Sequence, residues 1–274
     1  MTRLVLIIAV ATNLVFDVAP ASAGMIVLDD AVAWWRMDSN TNDSNAPPAS
    51  NGTVHGDVGY VAVPGAGFRG NNGVAASFDG NDYIEFATGG GSELYGNFSD
   101  GLTVFGRIDP TLDSASHGNV LNQDGYSGGV RCWNLEASRT SGGRITWRVW
   151  LGGTSYQIGL TGVSDLYNQP GLHDVVGVFR PGAAIEIYLD GTRVSYRTTG
   201  IPTYLDASST VPVVIGRRAG GVAPAYYDGL IESAAIWNRP LSANEIFGLS
   251  VPEPTTIFLF GIGLIAMMFQ RRRR

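Results

Sequence analysis

Ile185-Glu-Ile-Tyr-Leu-Asp-Gly191 decides the class of fold. Ile185, Ile187 and Leu189 alternate with Glu186, Tyr188 and Asp190, so the aliphatic trio shares one face of an extended strand. Asp190-Gly191 then supplies the positive backbone dihedrals of a two-residue hairpin, and Arg193 to Arg197 forms the returning strand. A second alternating stretch, Ile145-Thr-Trp-Arg-Val-Trp-Leu151, puts Ile145, Trp147, Val149 and Leu151 together and leaves Thr146, Arg148 and Trp150 opposite.

Working outward, strands are expected at 75–78, 83–86, 102–108, 175–180, 213–216 and 229–237. The 37 glycines, many in Asx-Gly or Gly-Gly pairs, punctuate these runs as turns. Ser242 to Leu249 is the one short helix expected in the domain, with Glu245 three residues after Ser242 as a capping box. Ser39 to Ser50 is polar and reads as a surface loop. Eight or more short strands without a linker or repeat predict one all-β domain of two packed antiparallel sheets over 24–250.

The two ends carry addresses. Arg3, the apolar Leu4 to Val10 and the small-residue site Ala21-Ser22-Ala23 have the layout of a signal peptide over 1–23. At the other end, Val251-Pro-Glu-Pro254 precedes an apolar run from Ile257 to Phe269 and the basic tail Arg271, Arg272, Arg273 and Arg274. That run is short for a membrane span, which takes about 20 apolar residues. The arginines would hold the tail on the cytoplasmic side, leaving the domain facing outward. Pro252 and Pro254 prevent a hydrophobic helix from running back into the domain and leave an exposed elbow.

All 18 basic residues are arginine, and 24–250 holds 13 of them against 22 acidic residues, a balance of −9. Such a surface disfavours nucleic acid, whose binders need a positive field. A neutral polysaccharide or a divalent cation fits that balance better. Cys132, the single cysteine, lies in Val130-Arg-Cys-Trp-Asn-Leu135, whose alternation favours buried packing over a reactive thiol or an intermolecular bridge.

The C-terminal block, over 251–274, closely resembles the PEP-CTERM sorting signal of Gram-negative bacteria. The resemblance implies transient inner-membrane anchoring, cleavage by an exosortase near Pro252, Glu253 and Pro254, and delivery to the cell envelope, surface or extracellular matrix. Six internal segments also occur in family order: Ala33-Trp-Trp-Arg-Met-Asp38, Gly73-Val-Ala-Ala-Ser-Phe-Asp-Gly-Asn-Asp-Tyr83, Leu102-Thr-Val-Phe-Gly-Arg107, Gly171-Leu-His-Asp-Val-Val-Gly-Val-Phe179, Ile187-Tyr-Leu-Asp-Gly191 and the closing 227–242. Together they resemble a laminin G-like, concanavalin A-like jelly-roll sandwich.

That fold hosts glycoside hydrolysis elsewhere, which requires two converging carboxyl groups. Glu186 and Asp190 are about 13 Å apart along one strand and cannot be that pair, and the Glu-x-Asp-x-x-Glu motif of the related glucanases is absent. His55, His117 and His173 lack metal-binding spacing, and His173 reads as structural. The expected role is therefore non-catalytic: recognition or adhesion toward an extracellular polysaccharide or surface protein. A glycoside hydrolase or lyase with unrecognised carboxylates, and a matrix component without a specific ligand, are the alternatives.

Two candidate sites follow. The resemblance implies calcium, for which Asp79 and Asp82 flank a suitable turn; Glu232-Ser233 departs from the acidic pair usual in relatives. For sugar binding, an aromatic platform with polar neighbours is expected from Trp150 and Arg148, or from Tyr226 and Tyr227.

Overall fold

In the computed structural model, the residues described are 28–42, 44, 51–63, 72–86, 92–110, 118–125, 130–138, 143–161, 171–208, 210–220 and 225–250. The signal segment 1–23, the Pro252-Glu253-Pro254 elbow, the apolar tail and Arg271 to Arg274 lie outside them, as does His117.

Among the described residues, fifteen strands, numbered in chain order, build two antiparallel sheets. The first sheet runs β13 (Thr192–Arg197), β12 (Ala184–Leu189), β11 (His173–Arg180), β6 (Leu102–Asp109), β15 (Asp228–Trp237), β4 (Val74–Asp79) and β3 (Gly59–Ala62). β1 (Ala33–Trp35) pairs with the second half of β15, and β4 with the first. The second sheet runs β10 (Thr154–Thr161), β9 (Arg144–Leu151), β8 (Arg131–Ser138), β7 (Gly118–Asp124), β14 (Val213–Ile215), β5 (Tyr83–Phe86) and β2 (Gly52–His55).

The deciding hairpin forms as expected. Asp190 and Gly191 have φ of 48° and 77°, and Leu189 pairs with Thr192 across the turn. The Asp190 carboxylate also ties the turn to β11, accepting the Asp174 N–H at 2.9 Å and contacting His173 Nδ1 at 2.9 Å. His173 is therefore structural.

The inner faces meet in one core that contains Trp35, Phe78, Phe86, Leu102, Val104, Trp133, Trp147, Phe179, Ile185 and Ile187. Trp147 reaches from the second sheet to the first, where its indole N–H donates to Val178 O at 3.1 Å. Gly177 in β11 makes room for it, because a Cβ there would lie 2.5 Å from the Trp147 ring. Cys132 is fully buried in this core, and burial, with Asp206 and Asp124 nearby, pushes its thiol up to about 12.

The outer face of the first sheet is covered too. Phe105, Val176, Val178, Tyr188 and Trp237 join Leu28, Trp34, Ile246 and Leu249 in a second core beneath α1 (Ala243–Ser250). The predicted capping box is present: Ser242 N–H donates to Glu245 Oε2 at 2.7 Å, and Glu245 N–H to Ser242 Oγ at 3.3 Å.

Glu232 occupies a bulge, since Ile231 and Ser233 oppose the consecutive residues Ile108 and Arg107. The extra residue lets Glu232 reach Arg107 at 2.6 Å, while Ser233 Oγ accepts the Trp34 indole N–H at 2.9 Å. The departure from the family pattern at Glu232-Ser233 thus has a structural role.

Candidate functional site

Two sequence-predicted residues come together with a third that spacing did not reveal. The β4–β5 turn carries Asp79 and Asp82, and the β2–β3 turn brings Asp57 beside them, with one carboxylate oxygen from each inside a 4.8 Å cluster. Asp82 is the buried anchor. Its Oδ1 accepts the Asp57 N–H at 3.0 Å and its Oδ2 accepts the Asp79 N–H at 3.2 Å. Gly56, at φ 87°, permits this approach, since a Cβ there would collide with the Asp82 carboxylate.

Asp57 and Asp79 remain exposed. Partial desolvation and then the negative charge of Asp82 raise the Asp79 carboxyl above its usual range. Three hard oxygen donors held together against their own repulsion fit a hard divalent cation, which draws remaining ligands from water or main-chain carbonyls. Such an ion would relieve the repulsion that Asp79 now feels.

Beside the carboxylates stands an aromatic stack. His55 and Tyr83 pair across β2 and β5, with ring centroids 4.3 Å apart and planes inclined by 3°. The Arg217 guanidinium lies 3.9 Å from the Tyr83 centroid. Two planar groups at those distances cannot share one face, so Tyr83 is sandwiched between them. Tyr226 leans on the stack, 6.4 Å from Tyr83, and all three rings are half-buried.

The four expected ligand-binding residues separate. Tyr226 belongs to this rim. Tyr227, its neighbour, points the opposite way into the core, fully buried and edge-on to Phe78 at 6.2 Å, which removes it as a platform. Arg148 and Trp150 lie on β9, four strands and about 19 Å from β5.

Their face was read correctly, opposite Ile145, Trp147 and Val149, but Trp150 is not an open platform. It is only 1 % exposed, with the Arg131 guanidinium 4.3 Å from its ring centroid. Arg131 is held there by Asp124, which accepts from its Nε at 2.7 Å and Nη2 at 2.9 Å. Glu136, two residues along the same face from Asn134, pairs with Arg144 at 3.1 Å and Arg148 at 3.0 Å.

The chain belongs to the concanavalin A-like lectin/glucanases superfamily, whose laminin G-like family model matches residues 78–247. The PEP-CTERM protein-sorting motif matches residues 250–274 and indicates an exported, exosortase-processed surface protein. No curated protein matches the chain in sequence.

Among solved structures, domain 4 of AbnA, a GH43 extracellular arabinanase from Geobacillus stearothermophilus, superposes with a TM-score of 0.58 at 14% identity, covering 81% of this chain and 98% of that domain. The binding domain of botulinum neurotoxin DC gives 0.57 at 11% identity, and that of serotype G gives 0.56 at 12%. These cover 82% and 80% of this chain, which spans 52% and 50% of the toxin domains. At such identities the likeness is one of fold.

Proposed function

We propose that 24–250 is the mature part of an exported, non-catalytic recognition module, freed of its signal segment 1–23 and sorted through 251–274 to the cell surface or extracellular matrix. It binds a glycan or a surface protein at the rim formed by Asp57, Asp79, Asp82, His55, Tyr83 and Tyr226, with calcium as the cation. The observation that carries this reading is the meeting of three carboxylates with a half-buried aromatic stack on adjoining turns. Calcium orders the turns, and the aromatic edges offer the apolar contact that sugar rings and side chains share.

The fold supports this reading by analogy. The arabinanase domain was solved in complex with arabinotriose and a toxin binding domain in complex with rat synaptotagmin II. Both are recognition complexes on the same architecture.

The test is thermal unfolding with calcium and with chelator, alongside a glycan array under both conditions. Calcium should raise the melting temperature, by the equivalent of about 2.7 kcal/mol at a hundredfold excess over Kd. Asp57→Asn should remove that response with little cost to the fold, because Asp57 is exposed. An unchanged melting temperature would sink the calcium site, and arrays flat in both conditions would sink glycan recognition.

A further inference from the structure

The solvent face of α1 carries no charge. Its exposed residues are Ala243, Asn244 and Phe247, while Glu245 is drawn aside to Arg239 at 2.8 Å. A surface helix ordinarily turns charged side chains to water. Phe247 is instead the most exposed large hydrophobic side chain among the described residues, at 60%.

Phe247 is fixed in that position by its neighbours. Ile246 and Leu249, on the other side of the helix, are buried in the second core. The β12–β13 turn closes on the helix, where a Cβ at Gly191 would lie 3.2 Å from Phe247 Cα and 3.3 Å from its ring. At that turn Asp190 is occupied by His173 and the Asp174 N–H.

The exposed surface continues onto β13, the edge strand that packs beside α1. Tyr196 pairs with Glu186 in register and is 59% exposed. The Arg193 guanidinium lies 4.6 Å from its ring centroid and is itself paired with Glu186 at 2.9 Å.

Where the chain goes next says what this surface meets. Phe247 stands three residues before the end of α1, and the six residues 251–256 separate Ser250 from the apolar run that begins at Ile257. Seven Cα steps reach about 25 Å at full stretch. With that run anchored in the inner membrane, the reading on which this inference rests, Phe247 meets the bilayer surface at an effective concentration in the millimolar range.

We infer that, while the anchor is uncut, α1 and β13 seat against the outward leaflet of the inner membrane: Phe247 enters the acyl boundary, and Tyr196 with Arg193 lies among the headgroups. An uncharged helix face with a protruding aromatic suits that interface, and tyrosine and arginine favour headgroup depth. Charge attraction does not hold the domain there, since its balance of −9 is repelled by anionic lipid. One aromatic contact is too weak to retain a free domain, so cutting the tether releases it. The contact orients the precursor before cleavage and is given up on export.

The experiment uses the full chain, exported through its own signal segment in a Gram-negative host without an exosortase and purified in detergent with its C-terminal block attached. It is reconstituted into vesicles of phosphatidylethanolamine and phosphatidylglycerol in which some acyl chains carry a nitroxide. Cys132 is buried and its thiol is pushed up to about 12, so a thiol-reactive fluorophore goes to an introduced cysteine. Asn244→Cys places it one turn from Phe247 on the exposed helix face, and Thr53→Cys places it on β2, at the far edge of the second sheet.

Flotation with the vesicles reads the anchor, and nitroxide quenching reads the seating. The Asn244→Cys label should be quenched and the Thr53→Cys label not, with little change on adding salt. Phe247→Gln should lower quenching at Asn244→Cys to the level of the Thr53→Cys label, while flotation and melting temperature stay at wild-type values because Phe247 is exposed. Phe247→Trp should keep the quenching.

A chain that floats with neither label quenched, with both quenched equally, or with quenching that survives Phe247→Gln or vanishes in salt would overturn the inference and leave the anchor standing. Shielding of the Asn244→Cys label from aqueous iodide without nitroxide quenching would place the chain's own apolar run or a second copy on Phe247, and overturn it too. Failure to float would remove the anchor and this inference with it.

Discussion

Arg131 lies over Trp150, its guanidinium 4.3 Å from the ring centroid, and the same guanidinium grips Asp124 with two hydrogen bonds. Two neighbouring strands thereby lock an indole beneath a cation, and the polar face of the second sheet becomes a layered structure.

Trp150→Ala should therefore act first on stability. Removing a buried indole costs about 3–5 kcal/mol, and here it also takes away the surface on which Arg131 rests. Denaturant unfolding checks this, and a variant as stable as wild type that had lost only binding would contradict the buried placement.

Arg107 joins Asp174 at 2.8 Å and Glu232 at 2.6 Å on the outer face of the first sheet, and both acids are almost wholly buried. Arg107→Ala would remove the guanidinium countercharge that two buried carboxylates share. A loss of about 3–5 kcal/mol is expected, read as a lower urea midpoint. Glu232→Gln should cost less, since the amide still accepts from Arg107 and no charge is stranded on the acid side.

Gly177→Ala tests the contact between the sheets. The added methyl would meet the Trp147 ring at 2.5 Å, and that ring is itself held by its hydrogen bond to Val178 O. Overpacking of about 1–3 kcal/mol is expected. Pairing the change with Trp147→Phe, which removes part of the opposing ring, should recover some of that loss.

The His173–Asp190 contact makes stability depend on pH. His173 is raised above the ordinary imidazole value of 6.5, chiefly by its hydrogen bond to Asp190. Burial works against the Asp190 charge, but hydrogen bonds from His173 and the Asp174 N–H outweigh it and hold Asp190 below 3.8. A raised histidine contributes most below its unfolded value and loses that contribution as pH rises through its folded value; the depressed aspartate contributes above its unfolded value and fails as pH falls through its folded one. The pair should therefore help most between pH 3.8 and 6.5. The melting-temperature gap between wild type and His173→Gln should be wider at pH 5.5 than at pH 8, and an equal gap at both would refute the linkage.

Much of the architecture was legible because alternation and turn chemistry are local. Ile185 to Arg197 specified a hairpin through its side-chain period and the φ demands of Asp190-Gly191, and Ser242 with Glu245 specified a capped helix start. β7, Gly118-Asn-Val-Leu-Asn-Gln-Asp124, escaped this reasoning because it is buried on both faces while rich in amides. Its Asn122 and Gln123 spend their side chains on main-chain carbonyls of 208–217, partners almost a hundred residues away.

By itself the sequence determined the class: two sheets of short strands, the turns between them, and the sorting block that follows the domain. Which polar residues meet was a tertiary decision. Asp57 joins Asp79 and Asp82 only because β2 pairs with β5 in the second sheet while β3 pairs with β4 in the first, bringing two turns together. Tyr226 and Tyr227 look equivalent in the chain, yet entry into β15 turns one outward and buries the other against Phe78. Arg131, Arg144, Arg148 and Arg218 are dispersed over nearly ninety positions of an acidic chain, and only the tertiary fold gathers them around Asp124 and Glu136. Local periodicity says which way a side chain points, whereas its neighbours across a sheet are set by long-range pairing, which no local pattern encodes.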